Sequence, residues 1–223
     1  MTVDKVYNIL KFIVRKNQLG SLPPSEFEYA FNTAQRNYYD FLVGRIEQYQ
    51  YGRPIPRVGL AMTDNVMSRL LPFKYIGDLA ITPVSGLAIK PLGVNKIITI
   101  YNANKYRVYR LEEDRLAERL HDSIDPISEK NAFYIEDKNF ITVYPENLLY
   151  CRMHYLKVPV DVVWGYTIDS QGRPVYNPGT SVQPEWLEND YDEIIARAAK
   201  IIGVSLKEPI DIQYGQQVIQ TGE

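Results

Sequence analysis

Val6, Ile9, Leu10, Ile13 and Val14 recur at the spacing of one helical face, so the chain is predicted to open on an amphipathic helix. Asn17 to Gly20 ends that pattern. Leu22-Pro23-Pro24 follows, and Ser25 and Glu28 then stand at the spacing of a capping box, which predicts a second helix. Its apolar stripe is Phe27, Ala30, Phe31, Ala34, Tyr38, Phe41 and Leu42. The two helices are expected to form a hairpin turning near Leu19–Ser25. Gly52-Arg53-Pro54-Ile55-Pro56 stops the helical pattern, giving an N-terminal helical region over 1–60.

After a short helix expected over Thr63–Leu71, the period changes from helical to alternating. Tyr75–Ile81, Leu87–Lys90, Val94–Tyr101, Tyr106–Leu111, Ala132–Ile135, Phe140–Tyr144 and Leu149–Val158 are short runs rich in β-branched and aromatic residues. Asn102–Lys105 and Asp137–Asn139 have the composition of hairpin loops. No βαβ alternation is visible, so a doubly wound sheet is not expected. These runs define a central β domain over 61–165, with a charged helical insert near 112–120 that turns Leu116 and Leu120 inward. The Gly- and Pro-rich stretch 166–183 reads as a loop. A C-terminal helix is predicted over 184–204, opened by Pro184, with Leu187, Tyr191, Ile194, Ile195, Ala198 and Ile202 inward. An extended tail, 205–223, completes the chain. The fold class is therefore α+β: an N-terminal helical hairpin, a central mostly antiparallel β-sandwich or barrel-like domain, and a C-terminal helix with an extended docking tail.

Composition narrows the function more by exclusion than by motif. Lys and Arg number 25 against 27 Asp and Glu, a balance unlike the basic excess of sequence-reading nucleic-acid binders. One cysteine, Cys151, leaves no intramolecular disulfide and no Cys-based zinc site. Cys151 and His154 fall on opposite faces of one strand, which argues against a Cys–His dyad. Glu112-Glu113-Asp114 and His121 read as charges complementing the two ends of a short helix. Asp190 and Glu193 read as a capping pair for the last helix. No nucleotide, metalloprotease or serine-hydrolase motif occurs, so no catalytic, cofactor-binding or metal-binding residue is expected. No apolar run approaches the length of a membrane span, and no secretory leader is visible.

Tyrosine is the unusual component, at 18 residues, and its amphipathic ring suits interfaces. Tyr101, Tyr106 and Tyr109 interleave with Lys105, Arg107 and Arg110, a pattern that admits sequence-independent nucleic-acid contact. Nearby Glu112, Glu113, Asp114 and Glu118 balance the charge and favour a solvated or interface face. Trp164, Tyr166 and Tyr176, on or near the long loop, offer an alternative as a receptor- or glycan-binding platform. A cell-wall hydrolase is the least supported class, because no acid/base pair stands out.

Three stretches carry a resemblance. They are Leu22-Pro23-Pro24-Ser25-Glu26-Phe27 through Gln35-Arg36-Asn37-Tyr38-Tyr39, the segment from Leu111 to Trp164 ending Val160-Asp161-Val162-Val163-Trp164, and the closing helix with its Pro- and Gln-bearing tail. In this order they resemble virion structural proteins of tailed bacteriophages of Bacteroidetes-type hosts, the crAss-like group, and specifically head–tail adaptors. The resemblance implies a non-enzymatic connector ring, commonly of twelve copies, between the portal protein and other tail or ring proteins. It implies assembly in the host cytoplasm into the neck of the virion, with non-specific contact to genomic DNA in the channel. Tyr38 and Phe41 on the second helix are candidate subunit or portal contacts. So are Ile210, Ile212, Tyr214 and Val218, which share one parity in the tail and suit addition to a sheet edge.

Overall fold

The structure is a computed structural model and describes residues 1–16, 21–50 and 64–205. The chain divides into two compact units, one of residues 1–72 with 159–223 and one of residues 73–158.

In the first unit, α1 (Val3–Lys16), α2 (Pro24–Gln50) and α5 (Tyr191–Ser205) supply the core. A shorter helix, α3, covers 64–69. The buried stripe of α1 is Val3, Val6, Tyr7, Leu10 and Val14, with Ile9 and Ile13 turned to its margin. Tyr7 is the shared anchor: its ring meets Phe27 at 5.1 Å and its hydroxyl donates to the Leu22 carbonyl at 2.8 Å. Both N-terminal helices also pack on α5, so the expected hairpin is completed by the C-terminal helix.

Residues 160–164 run extended along α2, with Val162 and Trp164 turned inward and Asp161 and Val163 outward. Side chains one and two turns apart on α2 satisfy this backbone. Glu28 accepts from the Trp164 amide, Asn32 bonds both the amide and carbonyl of Val162, and Gln35 donates to the Val160 carbonyl. Arg36 donates from one nitrogen, Nη2, to both carboxylate oxygens of Asp161 at 2.7 Å. This corrects two expectations. Residues 159–165 belong with the helices rather than with the central β domain, and Glu28 holds Trp164 rather than closing a capping box.

The loop expected over 166–183 contains a two-stranded ribbon, β8 (Tyr166–Ile168) with β9 (Pro174–Tyr176). Its turn is built on Asp169, whose carboxylate accepts from the amides of Gln171 and Arg173, both at 2.8 Å. Pro184 does not open the last helix. Residues 183–187 stay irregular because Gln183 accepts from the Val3 amide and Trp186 is buried, and helix begins only after a 3-10 turn at Glu188–Asp190. Leu187, expected inward, is exposed.

The second unit is one seven-stranded sheet: β1 (Lys74–Ala80), β2 (Leu87–Ile89), β3 (Val94–Asn102), β4 (Arg107–Arg110), β5 (Phe133–Glu136), β6 (Phe140–Tyr144) and β7 (Tyr150–Lys157). Its spatial order is β1-β7-β3-β4-β5-β6-β2. Every pairing is antiparallel except β4 with β5. The terminal strands β1 and β2 meet through an Ile81–Ala88 bridge, so the sheet nearly closes into a barrel. Two register shifts in β3 against β7 supply local bending. Alternation fills the interior with Leu79, Ile100, Val108, Ile141, Val143 and Met153 among others.

The insert is a 3-10 turn (Glu113–Arg115) leading into α4 (Leu116–Leu120). Leu120 is exposed rather than inward. Arg119 organises the segment instead, pairing with Asp122 at 3.2 Å and Asp125 at 2.8 Å.

Candidate interaction surfaces

Tyr38, expected at a subunit contact, is a core residue with 1% of its surface exposed. Its hydroxyl donates to Asp190, in the 3-10 turn before α5, at 2.9 Å and accepts from Arg69 of α3 at 2.7 Å. Its ring lies 5.1 Å from that of Trp186. Burial pushes the Tyr38 hydroxyl up to about 12, with the Arg69 hydrogen bond pulling the other way. Phe41 does reach the surface, with the Arg197 guanidinium 5.1 Å from its ring centroid. Ile210, Ile212, Tyr214 and Val218 lie outside the described residues.

Asp190 is not a helix cap. It is fully buried, and among the described residues its second oxygen, Oδ2, has no hydrogen-bond partner. Desolvation raises its pKa above the ordinary carboxylate value despite the opposing pull of Tyr38 and of Arg69, 3.5 Å away. A raised folded pKa means that the fold binds this proton better than the unfolded chain does. The stabilising contribution is present below the unfolded value of about 3.9 and is lost as pH rises through the folded pKa. Urea unfolding should therefore show the native chain gaining stability relative to Asp190→Asn as pH falls toward the unfolded carboxylate value of about 3.9. A difference that does not vary with pH contradicts this placement of the charge.

The residues with conventional chemistry are dispersed. Cys151 points into the barrel, where burial raises its thiol to about 11, away from thiolate reactivity. His154 lies on the other strand face, edge-on to Tyr101 at 5.9 Å. His121 Nδ1 sits 2.9 Å from the Ala117 carbonyl at the end of α4. Among the described residues no three His, Cys, Asp or Glu side chains are grouped to hold a metal ion, and no helix is long and apolar enough to cross a membrane. Trp164, expected to be available for stacking on a ligand, is 4% exposed. Its ring lies 4.4 Å from Tyr7, and its indole N–H donates to Asp4 at 3.1 Å.

Two surfaces expose clustered apolar side chains that no other described residue covers. The first is the ribbon. Tyr166, Thr167, Ile168 and Val175 are all exposed, so both faces of β8–β9 are open and Ile168 is 69% exposed. A two-stranded ribbon with no packed face is marginal alone. This one is anchored at its base, where Tyr166 and Tyr176 stand 5.7 and 5.8 Å from Trp164. The second is the outer face of β2 and β6. Ile89 is 77% exposed directly across from exposed Phe140, and exposed Leu87 lies two residues along the same face. Sequence reading missed both. Gly172, Pro174 and Asp169 disguised the ribbon as a loop, and the short run Leu87–Lys90 gave a strand without showing which side chains face out. The chain matches no protein-family model and no curated protein sequence.

Proposed function

We propose that the chain is a non-enzymatic structural subunit of a tailed-phage virion, a head–tail connector whose copies, twelve by the resemblance, form a ring between portal and tail. The observation that supports this reading most strongly is the pair of apolar surfaces left uncovered among the described residues. The ribbon is open on both faces, and the Leu87, Ile89 and Phe140 strip is an apolar sheet face. Two unlike apolar surfaces on one chain suit a heterologous contact, in which the ribbon of one copy covers the strip of the next. Repetition of such a contact closes a ring when the rotation fits. Contiguous apolar surface is the ordinary mark of a protein contact. In this reading Tyr38 and Trp186 serve the core, and Phe41 and the tail residues are further contacts with neighbours.

Ile89→Asp and Ile168→Asp place a charge on each surface. Each variant is expected to keep the native circular dichroism spectrum and melting temperature and to lose incorporation into particles in a complementation assay. Wild-type incorporation of both variants would contradict the use of these surfaces.

A further inference from the structure

We propose that the outer face of β7, β3 and β4 is a binding site for single-stranded nucleic acid. Register places Arg152, Tyr101 and Arg107 directly opposite one another on three adjacent strands. Their sequence neighbours Cys151, Ile100 and Val108 are buried in the barrel, so the row itself faces outward. Two strand spacings make the row about 10 Å across. Tyr109, two residues beyond Arg107 on the same face, extends it, with the Arg107 guanidinium 5.5 Å from its ring centroid. Lys130, in the segment before β5, stands 6.0 Å from the ring of Tyr106 at the adjoining β3–β4 hairpin. Tyr101, Tyr106 and Tyr109 are all exposed.

The surface is relieved rather than flat. Tyr101, Lys105, Tyr150 and Arg152 line one depression and Tyr106, Glu129 and Lys130 line another, with the hairpin tip between them. The charges are unequal. Asp78 pairs with Arg152 at 3.2 Å, and the Glu129 carboxylate accepts from Asn104 at 2.7 Å. Lys105, Arg107 and Lys130 have no carboxylate within ion-pair distance among the described residues. A chain of net charge −2 thus gathers uncompensated Lys105 and Arg107 beside exposed Tyr101 and Tyr109, with Tyr106 and Lys130 across the hairpin tip. Cations that track phosphates and rings that stack on unpaired bases are the two components of sequence-independent single-strand binding. Duplex DNA has its bases already stacked and leaves the rings without a partner. Strand parity by itself separates Tyr106 and Arg110 from Arg107 and Tyr109. The structure restores the pattern by bringing Tyr101 and Arg152 from neighbouring strands onto the face of Arg107 and Tyr109. The proposal does not depend on ring closure.

The test is fluorescence anisotropy of a labelled 20-nucleotide oligothymidylate titrated with the full chain at about 50 mM salt. Saturable binding is expected, tighter than to the corresponding duplex. Its affinity should fall with a log–log salt slope of about −2, as three cations contacting a single strand give. Arg107→Glu and Tyr101→Ala, both at exposed positions, should each weaken it about tenfold while leaving the thermal melt unchanged. Absence of saturable binding overturns the proposal, as does equal binding by both folded variants. Binding to heparin without binding to the oligonucleotide also overturns it, and assigns the face to an acidic glycan.

Discussion

Trp164→Ala is expected to cost the helical unit about 4 kcal/mol of unfolding free energy, the range for deleting a fully buried large aromatic. The indole is where three separate parts of that unit meet. Tyr7 of α1 and Tyr166 and Tyr176 at the base of the ribbon all pack around it. Its N–H reaches Asp4, and its backbone amide is held by Glu28 of α2. Removing the ring leaves a cavity lined by aromatic rings that cannot collapse without moving a helix. Both tryptophans of the chain, Trp164 and Trp186, lie in this unit, so fluorescence of the remaining Trp186 reports its unfolding without a signal from the barrel. A shift of the urea midpoint corresponding to less than about 1 kcal/mol would contradict the assignment of Trp164 to the core.

Gly86→Ala is expected to be the most damaging small substitution in the barrel. Gly86 has φ +64°, and a Cβ there would stand 2.4 Å from the Val143 carbonyl oxygen. The same residue closes the sheet: its carbonyl accepts from the Val143 amide at 2.8 Å and its amide donates to Thr82 at 3.1 Å. An alanine must bear the left-handed conformation, about 1–2 kcal/mol, and also push β6 away from the turn. The sum is about 3 kcal/mol, read from far-ultraviolet circular dichroism during urea unfolding. Gly172→Ala is the control. Gly172 has φ +76° with open space around the added carbon, so only the conformational cost of about 1 kcal/mol applies. Equal losses for the two variants would contradict the close approach of the Gly86 turn to β6.

What could be read in advance follows from which forces are local. All seven barrel strands and both hairpin loops, Asn102–Lys105 and Asp137–Asn139, were legible because β-branched runs and turn residues report backbone preference directly. The nearly closed order of the strands was not, since the β4–β5 pairing and the Ile81–Ala88 bridge join segments that no local signal links. The helical stripes were legible to within a rotation: Tyr7 lies inside and Ile9 at the margin because tertiary packing sets the final face. The extended segment 160–164 was misassigned because its backbone is satisfied by side chains of α2, more than a hundred residues earlier. Tyr38 was misplaced for a similar reason. An apolar-stripe tyrosine can be a contact or a core residue, and only the distant Asp190 and Arg69 decide which.

A connector must occupy a fixed place in an assembled particle, so the proposed role is tested most directly by electron microscopy of phage particles labelled with an antibody against this chain. The connector role predicts label at the neck between head and tail, with rotational averaging of that region showing a closed ring of copies. Label confined to fibre tips or to the capsid exterior, or particles without label while the protein stays free in the lysate, would contradict it.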